Sequence, residues 1–190
     1  TKGPCFAEID VVRRNNIRRN HSVTHLLHKA LKEILGDHVN QAGSLVEADR
    51  LRFDFTHYQA MSQEEIKKVE ERVNQKIFEA LSVTTTVTNP KHAQELGAVG
   101  LFEEKYGDIV RVLSMGDYSI ELCGGTHVRN TSEISMFKIL SESGVSSGVR
   151  RIEGVTGPAV YKMLNDTLNL RDEIAHELKA NKTDILQKIS

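Results

Sequence analysis

The sequence predicts an α+β fold: a mixed or antiparallel sheet covered by helices, a two-layer sandwich, with a long helix at the C-terminal end. Three observations carry this prediction. Helical and strand-like segments intermix along the 190 residues without the regular alternation that a parallel sheet requires. Ile66, Val69, Val73, Ile77 and Ala80 recur at helical spacing, the mark of a helix with one apolar face. Short β-branched or alternating runs, Val83–Thr88 foremost, have the length and side-chain type of strands.

Taken in order, residues 5–12 alternate loosely and predict a strand. Asn20 is a good N-cap for a helix that runs to Leu35, with Gly36 as its stop. Strands follow at Ala42–Glu47 and Arg50–Thr56, where Phe53 and Phe55 share one face and Asp54 is expected on the other, exposed. Ser62-Gln63-Glu64-Glu65 is a capping box that opens a second helix. After the Val83–Thr88 strand, Asn89-Pro90 starts a short helix ending near Leu96-Gly97. Further strands are expected at Ile109–Leu113, Tyr118–Glu121, Ile134–Leu140 and Arg150–Val155. Gly157-Pro158 begins a long polar helix to the C-terminus with Val160, Leu164, Ile174, Leu178 and Ile185 near heptad spacing. Arg171 and Asn181 interrupt that seam, so an amphipathic helix leading into a further segment is favoured over self-association, which the seam still permits. The expected organisation is a domain over 1–156 and a helical extension over 157–190.

Composition narrows the class. Hydrophobic residues at 39% and charged ones at 27% suit a soluble globular domain, and no apolar run approaches the ~20 residues of a membrane span. Lys and Arg total 25 against 26 Asp and Glu, so any RNA contact must come from a local patch; neither a membrane nor DNA is an expected partner. Cys5 and Cys123 are the only cysteines, which argues against a disulfide framework and for a reducing cytoplasmic compartment. Thr1-Lys2-Gly3-Pro4 has no initiator Met and no signal-peptide pattern, as expected of a segment of a longer polypeptide.

His21 and His25 stand at i, i+4 in the expected first helix, which puts both imidazoles on one face. Alone, the pair is most simply two surface or packed histidines. Cys123 and His127 have the same separation across Gly124-Gly125-Thr126, where the glycines bend the chain or allow a close approach. A lone cysteine there is most simply a small buried hydrophobe. The two pairs together offer four borderline ligands, a tetrahedral zinc set. His28, one turn beyond His25, is placed to support such a site, whereas His38, His57, His92 and His176 read as surface or packing residues.

Asn20-His21-Ser22-Val23-Thr24-His25-Leu26-Leu27 resembles the metal-binding helix of the editing domain of alanyl-tRNA synthetases. His38-Val39-Asn40-Gln41-Ala42-Gly43-Ser44, Leu51-Arg52-Phe53-Asp54-Phe55-Thr56-His57, Cys123-Gly124-Gly125-Thr126-His127-Val128 and Gly148-Val149-Arg150-Arg151-Ile152 are similar to its later motifs, in the same order. Free-standing editing proteins share the family, and threonyl-tRNA synthetase has a related domain; the Gly-Gly-Thr turn and the Leu-Arg-Phe-Asp-Phe run look like the alanyl branch. The resemblance implies hydrolysis of seryl and glycyl esters of alanine tRNA, zinc as cofactor, and the acceptor end of that tRNA as partner. It makes Gln41 a candidate to hold the attacking water or the substrate amino acid. Thr126 becomes a candidate partner for a serine hydroxyl, although capping of its own turn reads equally well. Arg13, Arg14, Arg18 and Arg19, just before the expected helix, and Arg150 and Arg151 become candidate RNA contacts. The family's glycine-rich β-barrel segment and its aminoacylation module have no counterpart in this sequence, so the expectation is editing without charging. A zinc-stabilised acceptor-binding module without chemistry, and a threonyl-type editor, are the competing readings.

Overall fold

The computed structural model describes residues 5–100 and 107–189; the readings made on residues 1–4, and the last residue of the expected C-terminal helix, lie outside that range. The helices are α1 (Val11–Leu35), α2 (Gln63–Phe78), α3 (Pro90–Glu95), α4 (Pro158–Glu177) and α5 (Ile185–Ile189). The strands are β1 (Gln41–Val46), β2 (Leu51–Thr56), β3 (Val83–Thr88), β4 (Val110–Met115), β5 (Ser119–Leu122), β6 (Phe137–Ser146) and β7 (Val149–Thr156), with a 3₁₀ turn at Thr131–Ile134. All pairings among them are antiparallel. The α+β class therefore stands, with the strands divided between a sheet of order β1-β2-β7-β6 and one of order β3-β4-β5.

Local chemistry accounts for where the elements begin. Ser62 accepts from the Glu65 amide while the Glu65 carboxylate accepts from the Ser62 amide, the reciprocal cap expected for α2. Gly36 ends α1 at φ 116°, a conformation that side chains other than glycine rarely adopt. The start of α1 corrects the sequence reading. Residues 5–10 form no strand, and the Asp10 carboxylate accepts from the Arg13 amide at 2.9 Å, so the cap lies ten residues before Asn20. One good N-cap outweighs the β preference of Val11 and Val12. Asn20 is buried inside the helix, donating to the Glu47 carbonyl at 2.8 Å and accepting from Thr156 at 2.6 Å. Residues 131–134, partly assigned to a strand, form the 3₁₀ turn, and β6 runs on to Ser146. The C-terminal helix is not continuous: Lys179 takes the left-handed conformation at φ 47°, which closes α4, and α5 restarts at Ile185.

The backbone divides into two compact units, Thr1–Gly157 and Pro158–Ser190. In the first, α1 contacts strands of both sheets as well as α2. From Asn20 to Leu31 it is buried except at half-buried His21 and exposed Lys29, the burial of a helix enclosed on most sides. Phe53, Phe55 and Ile152 from the four-stranded sheet, Leu113 and Met115 from the three-stranded one, and Val69, Val73 and Ile77 from α2 join Val23, Leu26, Leu27 and Leu31 in one core. Each such side chain contributes about 1.5–3 kcal/mol by leaving water. Asp54 is buried rather than exposed, because Arg151 grips both its oxygens at 2.7 and 2.9 Å across β2 and β7. In the second unit, Leu164 and Ile174 of the expected seam are exposed on α4. No described helix is long and apolar enough to cross a membrane.

Candidate metal centre

The register of the three-stranded sheet puts one polar row against α1. Leu113 and Met115 enter the core, and residues two apart on a strand share a face. Leu113 pairs with Glu121 and Met115 with Ser119, so Arg111, Glu121 and Cys123 fall on that same inner face. Val110, Val112, Ile120 and Leu122 face the other way, toward Ala93 of α3. The Cys123 amide prolongs the ladder by donating to the Arg111 carbonyl at 3.0 Å. The chain then turns through Gly124 and Gly125 and returns His127 to the same place.

On the opposite side, α1 presents His21 and His25 one turn apart. The ligand atoms of His21, His25, Cys123 and His127 lie within 4.8 Å of one another, a cluster that can hold a metal ion. Cys123 Sγ is 3.6 Å from His21 Nε2 and 3.3 Å from His127 Nε2. Gly125 packs against the His21 ring, and a Cβ there would overlap it. That close approach is why glycine stands at this position.

What holds the imidazoles was not legible in the ligand spacing. Glu121 bonds His25 Nδ1 through one carboxylate oxygen and His28 Nδ1 through the other, at 2.9 Å. Ser22 Oγ lies 3.2 Å from His127 Nδ1 and accepts from the Val128 amide at 3.1 Å. With Nδ1 occupied, the Nε2 atoms of His25 and His127 are the free ligand atoms. His25 Nε2 is buried and has no hydrogen-bond partner, and an orphaned buried nitrogen is costly unless something is bound to it. The supporting role expected of His28 acts through Glu121. The signal for Glu121 was its position two residues before Cys123 in an alternating strand; Ser22 carried only its place beside His21.

The charges are matched to this geometry. Burial pushes the Cys123 thiol up, but hydrogen bonds with His127 and His21 and the charge of His25 outweigh it and bring its pKa down to about 3. Burial lowers His25, yet the charge of Cys123 and the hydrogen-bonded carboxylate of Glu121 raise it to about 9. Burial raises Glu121, and its bonds to His25 and His28 pull it down to about 2. His127 falls to about 4, burial exceeding the effect of its bond to Cys123. A thiolate beside neutral or displaceable imidazole protons is the state a metal takes up.

Thr126 is half-buried between Gly125 and His127. Gln41 lies on edge strand β1, its amide donating to Ser44 Oγ at 3.2 Å. The four N-terminal arginines lie within α1 rather than ahead of it, a correction that follows from the Asp10 cap. Arg13 is exposed. Arg14 is half-buried. Arg18 bonds Asn15 at 3.4 Å while its Nε is buried without a partner. Arg19 is tied to the Glu133 carbonyl at 2.8 Å and to Asn16 at 2.9 Å. Arg150 is held by both oxygens of Glu142 at 2.5 and 2.8 Å, and Arg151 by Asp54 on the opposite sheet face.

Residues 110–153, the stretch that supplies Cys123, His127 and Glu121, match the family described as the threonyl and alanyl tRNA synthetase second additional domain. The alanine–tRNA ligase of Clostridioides difficile (strain 630) is 57% identical over 182 residues, 96% of this chain and 21% of that protein. Those of Thermoanaerobacter sp. (strain X514) and Bacillus pumilus (strain SAFR-032) are 58% and 54% identical over 96% and 97% of the chain, again 21% of each relative. The chain thus spans about a fifth of the length of the curated relatives it matches. Along nearly its whole length the chain shares more than half its residues with one stretch of these alanine–tRNA ligases, and that stretch is the part of them it resembles.

Proposed function

We propose that this chain hydrolyses the aminoacyl ester of wrongly charged alanine tRNA, serine and glycine esters in particular, at a zinc site formed by His21, His25, Cys123 and His127, as part of protein synthesis in the cytoplasm. The observation that carries the reading is the convergence of three imidazoles on one thiol, with His25 Nε2 buried and unpartnered. Zinc–sulfur and zinc–nitrogen bonds of ~2.3 and ~2.05 Å at the tetrahedral angle put the two donors ~3.5 Å apart. The sulfur–nitrogen distances of 3.6 and 3.3 Å bracket that value.

When bound, zinc supplies a fixed positive charge that polarises an ester carbonyl or acidifies a water. The protein's own groups do the rest. Glu121 and Ser22 fix the rings of His25 and His127 from behind, so the ligand atoms need not reorganise. Thr126, beside His127, is assigned to hydrogen-bond a serine hydroxyl; an alanyl ester would leave the Thr126 hydroxyl unpaired, which disfavours the correct ester. Gln41 is assigned to hold water or the amino acid. Arg13, Arg14 and Arg18 are assigned to the acceptor-end phosphates, with Arg19, Arg150 and Arg151 as candidates whose present partners RNA would have to displace.

Four protein ligands make a closed shell, which is the pattern of structural zinc. That feature favours an organising, substrate-positioning ion, and it also supports a second reading in which the domain binds the acceptor end without chemistry. Deacylation of Ser-tRNA made on alanine tRNA separates the two, with Ala-tRNA alongside and a chelated sample in parallel. Selective loss of the seryl ester, abolished by chelation, is expected. A folded, zinc-loaded chain that binds tRNA and leaves the ester intact would establish the binding module. Preference for Ser-tRNA made on threonine tRNA would point to a threonyl-type editor.

A further inference from the structure

Arg111 is not a metal ligand, yet it is bonded to the turn that carries two of them. Its Nη1 donates to the Gly124 carbonyl at 3.0 Å and to the Gly125 carbonyl at 2.6 Å, and Nη2 reaches Thr85 Oγ1 at 3.4 Å. No cis peptide occurs among the described residues, and in a planar trans peptide the N–H points opposite to the C=O. The carbonyls of peptides 124–125 and 125–126 face the guanidinium, so the amides of Gly125 and Thr126 face away from it. Among the described residues neither amide has an acceptor. A Cβ on Gly125 would overlap the His21 ring, which puts this pair of donors beside the cluster. A cation at the carbonyl end of each peptide also polarises the N–H at the other end. Two adjacent, outward amides of this kind form a small anion-binding concavity.

Resting on the proposed hydrolysis, we infer that Arg111 is a positioning residue that aims the Gly125 and Thr126 amides at the ester carbonyl oxygen as it becomes negative. Water adds to the ester carbon, forming a carbon–oxygen bond while the carbonyl π pair moves onto oxygen. That oxyanion is the group the two amides receive. Its collapse restores the carbonyl and expels the terminal ribose oxygen, which takes the proton given up by the attacking water. The products are the free amino acid and uncharged tRNA. Preorganised donors aimed at developing charge act on the transition state more than on the bound ester.

The test uses Arg111→Met and Arg111→Lys in the full chain. Arg111→Met is expected to keep zinc stoichiometry and KM near wild type while kcat for Ser-tRNA falls ~10–100-fold, less than the loss of a donor outright. Arg111→Lys, which restores a charge at the carbonyls, should recover part of kcat. Zinc lost in proportion to activity would overturn the inference and make Arg111 a brace for the metal turn. A rise in KM alone would make it a phosphate contact. A second measurement does not depend on turnover: the Gly125 and Thr126 amide protons of the wild type, followed by NMR, should move downfield on titration with an adenosine 3′-linked seryl phosphonate, a tetrahedral anion. Hydrolysis without that shift sinks the amide pair and leaves the editing reading standing. The shift without hydrolysis sinks editing and leaves the anion site.

Discussion

His38 Nε2 meets His57 Nδ1 at 2.9 Å with the rings stacked 5.2 Å apart, while in the same compact unit His21, His25 and His127 meet around a thiol. Both groups of histidines depend on contacts between distant elements, and both include a buried ring nitrogen without a partner, His57 Nε2 in one and His25 Nε2 in the other. They differ in what stands around the rings. His38 and His57 share a hydrogen bond with each other, and exposed Tyr58 stacks on His38 at 4.8 Å. Burial and the neighbouring His38 lower the pKa of His57, the behaviour of a packed neutral imidazole. In the quartet, Glu121 and Ser22 take the Nδ1 atoms of His25 and His127, and the soft anionic ligand lies in front. Histidine count therefore does not distinguish a metal site from a packed cluster; the partner on the far nitrogen and the presence of a thiolate do.

The largest expected effect tests that distinction directly. Cys123→Ala removes the one anionic ligand and should weaken zinc binding by well over the ~100-fold that losing an outer partner of a ligand costs. Competition with a chromophoric chelator measures it, and an unchanged affinity would show that the cluster is only packing. Proton release during metal uptake adds a signature. The thiol at about 3 is already ionised at neutral pH, whereas His25 at about 9 carries a proton that the metal must displace. Zinc affinity should then rise with pH up to about 9 and level off above it. Stability of the metal-free protein runs the other way: the raised His25 pKa contributes fully below about 6.5 and is lost as pH rises through 9.

The next effect is smaller and isolates the support from the ligands. Glu121→Gln keeps the size of the side chain but no longer holds His25 and His28 with an anion, and zinc affinity should fall ~10–100-fold. An affinity equal to wild type would mean that the Glu121 bridge serves packing alone. The same carboxylate contributes stability to the metal-free protein above about pH 4.5, lost as pH falls through about 2.

The cluster able to hold a metal ion is readable in the sequence because its signals are local. His21 and His25 sit one turn apart on a helix, and Cys123 and His127 bracket a Gly-Gly turn, so each pair is determined by spacing within five residues. Their supports were not, because Glu121 meets His25 and His28 across 96 and 93 residues and Ser22 meets His127 across 105. Those contacts depend on which face of β5 turns toward α1, and an alternating pattern on its own leaves the choice of face open. Arg111 was passed over for the same reason, its partners being backbone carbonyls that no side-chain pattern announces. The same limit explains the fold-level differences. The α2 capping box and the β3 strand are local, and the structure has both as read. The start of α1 turned on a competition between a single cap and a β-branched pair, and the burial of Asp54 on the register that brings Arg151 alongside it.

The smallest predicted effect completes the comparison of the two histidine groups. His38→Ala removes the hydrogen bond to His57 and the stacking surface for Tyr58 but touches no residue of the quartet. Loss of one part-buried hydrogen bond costs ~1 kcal/mol, which for a domain of this size lowers Tm by roughly 2–4 °C. Zinc affinity should match wild type within error in the same chelator competition. A fall in affinity comparable to that of Glu121→Gln would mean that the two groups are coupled through α1, on whose C-terminal side His38 lies and whose middle carries His25 and His28. Equal affinity with a lower Tm would show that the pair acts on the fold alone, and that the supports of the metal cluster end at Glu121, His28 and Ser22.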